Sequence, residues 1–180
     1  MSTAERLEAV LAEMRDVFAR MPADAVAQLA REIANARRVL VYGAGRNGLV
    51  LQAFAMRLMH LGLDGHFVGQ LAAPPVGKGD LLLMALSVGR LPTGDAIIGS
   101  AKANGARIAA ISARPDLVQA ADLVIPLPAQ VMGDPMSSIL PLGSPFELAL
   151  SLFCDLTVVE LMALLGRSNA DLAARHANLL

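Results

Sequence analysis

The segment DLLLMALS (80–87) is apolar at every position between an acid at its start and a hydroxyl at its end. A strand with one wet face alternates apolar and polar residues; a run that is apolar throughout has to be covered on both faces. RVLVYG (38–43), ARIAAIS (106–112) and DLVIPL (122–127) share that character, and GHFVG (65–69) is a shorter version. Helix-length segments separate them, one from about Arg46 to Leu61 and one from about Pro92 to Ala103, where Asn104-Gly105 makes a C-terminal stop. Strands and helices alternating at this spacing predict an α/β chain with a five-stranded parallel sheet flanked by helices in three layers.

Two helices lead this unit. Leu7, Val10, Leu11, Met14, Val17 and Phe18 share a helical face between Ser2 and Arg20, with Ser2 or Thr3 as N-cap, and Pro22 opens a second helix carrying Val26, Leu29 and Ile33. Two more close the chain, about 145–165 and 168–180, behind an irregular stretch from Pro128 to Pro145 of the kind that is functional when ordered. The 180 residues fit one domain, 1–180. Lys+Arg number 15 against 16 Asp+Glu, with no block of like charge, so neither nucleic acid nor an anionic membrane is an expected partner. A hydrophobic share of 55% with only 17% charged residues is high for a soluble monomer, and part of the surface is expected to be a homo-oligomer interface. LALSLFCDLTVVELMALL (148–165) contains Asp155 and Glu160 and reads as a helix buried against protein rather than a membrane span. The start, MSTAERLEAV, is not a signal peptide, which makes the cytoplasm the expected compartment. Cys154 is alone, and no Cys/His cluster has zinc spacing, so no metal is expected.

GAGRNG (43–48) sits between a strand and a helix and matches the glycine pattern of a dinucleotide-binding turn. The acid that would hold a ribose is missing: the next strand ends in Gly69-Gln70, and Asp64 precedes it. A nicotinamide cofactor is therefore not expected. What survives is a close backbone approach at Gly43 and Gly45 and a helix N-terminus able to receive an anion, with Arg46 and Asn47 beside it. Ser87 holds the matching place after the third strand, followed by Arg90 and Thr93, the polar side chains nearest to a second helix start. GSPFE (143–147) has the form of a capping box, with Ser144 as N-cap and Glu147 reaching back, although a glutamate there also suits a base if it faces the crevice. In RHANLL (175–180), Arg175 and His176 fall in the last turn of the final helix, where cations suit the dipole. His60 and His66 have nothing around them to suggest catalysis.

VYGAGRNGLVLQAFAMRLMHLGL (41–63), SILPLGSPFELAL (138–150) and RHANL (175–179) resemble the 6-phospho-3-hexuloisomerases of the sugar isomerase (SIS) domain superfamily, and the similarity runs over nearly the whole chain. The resemblance implies an SIS-type three-layer fold, a homotetramer with shared active sites, no metal or organic cofactor, and isomerisation of D-arabino-hex-3-ulose 6-phosphate to fructose 6-phosphate through a cis-enediol. It makes Glu147 the base, His176 an assisting group in a neighbour's site, and Arg46 a contact to the sugar or its phosphate. Gly45, Asn47, Ser87, Arg90 and Thr93 are the remaining candidates for holding substrate.

This chain also departs from the family pattern. Asn47 replaces a serine, Leu180 replaces a glutamate, and the turn after the third strand reads Ser-Val-Gly-Arg-Leu-Pro (87–92) where the family reads Ser-Gly-Ser-Gly-Glu-Thr. Ser87 alone stays in register, Thr93 is one residue late, and Pro92 removes an N–H near the helix start. Three readings follow: an isomerase of the phosphohexulose type, a diverged isomerase of another sugar derivative, or a sugar-phosphate-binding module that senses without catalysis. Retention of Glu147 and His176 favours catalysis.

Overall fold

The computed structural model describes residues 1–178. In chain order the elements are α1 (Thr3–Ala19), α2 (Ala25–Asn35), β1 (Arg38–Gly43), α3 (Arg46–His60), β2 (Gly65–Phe67), β3 (Asp80–Ala85), α4 (Pro92–Ala103), β4 (Arg107–Ser112), a 3-10 turn (Pro115–Leu117), β5 (Leu123–Pro126), α5 (Ser144–Leu165) and α6 (Asn169–Ala173). The strands form one parallel sheet in the order β2-β1-β3-β4-β5.

Strand periodicity divides the core in two. Val39 and Val41 of β1, Leu81, Leu83 and Ala85 of β3, and Ala109 and Ile111 of β4 face a large cluster built with α1, α2, α3 and α5. The intervening Leu40, Leu82, Met84, Ile108 and Ala110 face a smaller cluster beneath α4. Side chains alternate across a strand, so runs apolar at every position supply both layers at once.

The other expected elements stand, with α4 covering the expected residues and Ser2 capping α1 through a reciprocal box with Glu5, but Pro22 does not open the second helix: α2 starts at Ala25 behind Asp24 as N-cap. The closing helix is a correction. The sequence predicts it over 168–180, but α6 ends at Ala173, leaving Arg175 and His176 beyond its last turn; residues 179 and 180 lie outside the described residues. Tertiary contacts outcompete the helix here. Arg175 packs its guanidinium against Gly62 and donates to the Asp171 carbonyl at 2.9 Å, while His176 stacks on His60 with ring centroids 5.3 Å apart.

α5 is long and apolar enough to cross a membrane by length and composition alone. It is packed on protein along one side only, through residues such as Phe146, Leu150, Phe153 and Leu161. Its other side exposes Leu152, Leu156, Val159 and Leu164.

α3 is seated on β1 by two glycines. A Cβ on Gly48 would lie 2.4 Å from the Gly43 carbonyl oxygen, so this contact admits no side chain. Gly99, exposed on α4, has nothing within 4 Å of the same position. Gly48→Ala is expected to lower stability by about 1–3 kcal/mol through overpacking, and Gly99→Ala to raise it by about 1 kcal/mol through helix propensity. Urea unfolding midpoints of the two variants would show the opposite signs.

Candidate active site

The chain leaves β1 for β2 on one side and returns to β3 on the other, so the carboxyl ends of β1 and β3 part at a topological switch point, where open α/β sheets bind ligands. The turn after β1 brings Gly45, at φ 57, to the start of α3, and nothing lies within 4 Å of where its Cβ would stand. The first hydrogen bond of that turn runs from the Gly48 N–H to the Gly45 carbonyl, which leaves the amides of Arg46 and Asn47 ahead of it for an anion. The turn after β3 runs from Leu86 to α4, with Gly89 at φ 89 wedged against Leu117, where a Cβ would come within 2.7 Å.

Glu147 does not close a capping box. Gly143 is the N-cap of α5 and no side chain caps it; Ser144 is the first helical residue. The Glu147 amide donates to the Gly143 carbonyl at 3.2 Å, and its carboxylate turns away from the helix end to accept a hydrogen bond from Arg46 Nε at 2.5 Å. Local spacing gave the box pattern, but a guanidinium delivered by α3 is a stronger partner for a carboxylate than a neutral amide. Glu147 is mostly enclosed, its side chain 17% exposed, while Arg46 is 72% exposed at the mouth. The next residue points inward: Asn47 is buried and its Nδ2 donates to Ser87 Oγ at 3.2 Å. Three elements thus bring Glu147, Arg46, Asn47 and Ser87 into one linked set.

The other candidates lie apart. Thr93 is exposed in the first turn of α4. Arg90 donates through Nε and Nη2 to Asp95 at 3.1 and 2.7 Å and lines a separate cleft of about 500 Å³ with Leu86, Ile98, Lys102 and Asp116. His176 stacks on His60 at the carboxyl end of α3, while Arg46 opens the same helix; fifteen residues at 1.5 Å each put those ends about 20 Å apart. Within one chain, His176 therefore does not join Glu147.

The supports of the site were not singled out in the sequence. Ser112 is fully buried at the end of β4, donates to the Leu86 carbonyl at 2.6 Å and accepts from the Arg114 amide at 3.0 Å, steadying the turn that presents Ser87. Arg114 pairs with Asp134, Gln130 Oε1 accepts from the Ser137 and Ser138 amides, and Ser138 donates to Glu13 of α1 at 2.6 Å. These bonds tie the segment leading to Glu147 onto β4 and α1. A serine closing an aliphatic run was the one local sign of this. Among the described residues no group of three or more His, Cys, Asp or Glu is placed to hold a metal. Asp64 is committed to Arg38 and His66 at 2.6 and 2.7 Å.

This sheet order and its flanking helices are those of the sugar isomerase (SIS) fold, shared over 98% of the chain with structures of TM-score 0.75 and 0.78 at 18% identity. No family model matches the sequence. Full-length relatives are nearer. The 3-hexulose-6-phosphate isomerase of Bacillus subtilis is 33% identical, covering 99% of this chain and 100% of its own length, and that of Mycobacterium gastri is 40% identical, covering 96% and 89%. A Methanococcus jannaschii crystal structure, from which the function of 3-hexulose-6-phosphate isomerase was inferred, superposes with a TM-score of 0.85 at 32% identity, over 98% of this chain and 99% of that one. The chain belongs to this family of isomerases.

Burial, then Arg57, then His176 lower the pKa of His60 from its ordinary 6.5. The unfolded chain then binds the His60 proton more readily than the folded one, so stability is complete above about pH 6.5 and falls as the pH drops below it. His60→Gln is expected to flatten that acid limb. Denaturation midpoints at pH 7.5 and 5.5 would test this, and an unchanged slope would remove His60 as its source.

Proposed function

We propose that the protein interconverts D-arabino-hex-3-ulose 6-phosphate and fructose 6-phosphate in the cytoplasm without a metal or organic cofactor. The carrying observation is the Glu147 carboxylate, turned off its own helix end and into the crevice onto Arg46. In this reading Glu147 takes the proton from C2 of the hex-3-ulose, the electron pair forms the C2–C3 double bond of a cis-enediolate, and negative charge collects on the oxygen at C3. Glu147 returns the proton to C3 as the carbonyl re-forms at C2, with the hydroxyl proton passing between the two oxygens. A guanidinium cannot compete for the carbon-bound proton, so Arg46 serves as donor to the developing oxyanion or to the phosphate.

The phosphate rests on Ser87, on the free amides where α3 and α4 begin, including those of Arg46 and Thr93, and at the open turn of Gly45. Arg90 reaches it only by leaving Asp95. That ion pair is exposed to solvent and therefore weak, and a phosphate dianion outbids it. The rebuilt turn also supports a second reading, an isomerase of another sugar derivative, because Arg90 faces the separate cleft and Pro92 offers no amide.

The homo-oligomer belongs to the same proposal. Leu11, Met14 and Phe18 of α1 with Leu152, Leu156 and Val159 of α5 line an apolar groove of about 400 Å³. A second copy covering that groove accounts for the apolar outer side of α5, and His176 acts in a neighbour's site.

The test supplies the hexulose phosphate in place with its synthase and reads fructose 6-phosphate. Wild-type turnover is expected, with Glu147→Gln slower by about a hundredfold or more. A folded wild type with no turnover would shift the assignment to the second reading. In parallel, Val159→Glu is expected to yield a smaller species in light scattering behind size exclusion; an unchanged mass would clear this groove of an interface role.

A further inference from the structure

We propose that Asn47 is a positioning residue that fixes Ser87 as a hydrogen-bond donor to the phosphate of the substrate, so that its contribution to binding runs through Ser87. The inference rests on the placement of the phosphate given above. A serine hydroxyl has one hydrogen to give and two lone pairs to receive. Asn47 Nδ2 can only donate, and it fills one lone pair of Ser87 Oγ at 3.2 Å. The hydroxyl hydrogen of Ser87 is then directed to a third atom. A phosphate oxygen at the crevice suits it, because a bond from a neutral hydroxyl to an anion is charge-assisted. Ser87 is half-exposed and is the one hydroxyl side chain between β3 and α4, so the direction of this hydrogen governs what the turn offers an anion.

Two further observations single out Asn47. The residue as a whole is only 9% exposed, and the backbone that carries it is held by the Gly43–Gly48 contact, since a Cβ on Gly43 would meet the Asn47 carbonyl carbon at 2.8 Å. Its Oδ1 is buried and has no hydrogen-bond partner among the described residues. Rotating the amide by half a turn would let Oδ1 accept from Ser87, but it would leave the amide nitrogen without that partner and turn the Ser87 hydrogen away from any ligand. The two orientations thus differ chiefly in what Ser87 presents, and a bound anion selects the one with Nδ2 on Ser87. A serine at position 47 can donate or accept and imposes no such polarity.

The experiment is a double-mutant cycle read in two ways: fructose 6-phosphate affinity by calorimetry, and KM against kcat in the coupled assay. Ser87→Ala and Asn47→Ala are each expected to weaken fructose 6-phosphate binding about tenfold or more, and the double variant no further than Ser87→Ala alone. The loss should fall on KM more than on kcat. Asn47→Asp, of the same shape but only able to accept, should weaken binding at least as much as Asn47→Ala, and Asn47→Ser should recover part of it. Fully multiplicative single effects, Asn47→Ala binding like wild type, or a loss in kcat with affinity unmoved would each overturn the role of Asn47. If Asn47→Ala does not fold, the comparison of the aspartate and serine variants carries the test. A wild type that binds no fructose 6-phosphate would overturn the functional reading and this inference together; wild-type binding matched by every Asn47 variant would overturn this inference alone.

Discussion

The close approach of Gly43 and Gly48 sets the geometry on which the site depends. Because neither residue carries a Cβ, the first turn of α3 lies directly on the end of β1. Successive helical residues diverge by about a hundred degrees, so Arg46 and Asn47 leave that turn in different directions. Arg46 reaches out to the Glu147 carboxylate on α5, and Asn47 reaches in to Ser87 at the end of β3. One backbone contact therefore registers three separate elements against one another. A helix standing even a methyl group further from the strand would move both side chains from their partners at once.

The two ends of the sheet divide the work. At the amino ends of β3 and β4 the charged groups are paired: Asp80 is buried and takes both arms of Arg37 at 2.9 Å as well as the Gly77 amide at 2.8 Å, and Glu32 takes both arms of Arg107 at 3.0 Å. Such two-pronged bonds hold register and leave nothing over for a ligand. At the carboxyl ends the bonding is incomplete. Among the described residues the amides of Arg46 and Asn47 have no backbone partner and Asn47 Oδ1 has none of any kind, while Ser87 has a hydrogen to give. Fixed but unsatisfied polarity is what a site needs if it is to gain free energy when an anion arrives, and the bonds of Ser112, Arg114 and Asp134 keep it fixed.

The sheet was legible because burial on both faces leaves an unbroken apolar run, and α4 because a proline opens it and Asn-Gly closes it. Glu147 was legible as a candidate, but its partner was not. The capping box at Ser144 to Glu147 is a pattern of local spacing, and it lost to a guanidinium from a helix a hundred residues earlier, which no local pattern reveals. The same limit shortened the last helix, where Arg175 and His176 lie against Gly62 and His60. Elements follow from periodicity along the chain; a site follows from partners across it.

The outer side of α5 and the position of His176 bear on the same question. A helix with membrane-like composition folds here against α2 and α3 yet keeps an apolar stripe in water beside α1. His176 sits at the wrong end of α3 to assist Glu147 in its own chain. Each feature is a cost or an idle part in an isolated subunit. In the proposed assembly both are accounted for by one act of association, which removes the stripe from water and carries the histidine-bearing tail toward another crevice. On that reading the apolar excess of the sequence, out of place in a lone domain of this size, and the reach of the terminal segment are two consequences of a site assembled between copies.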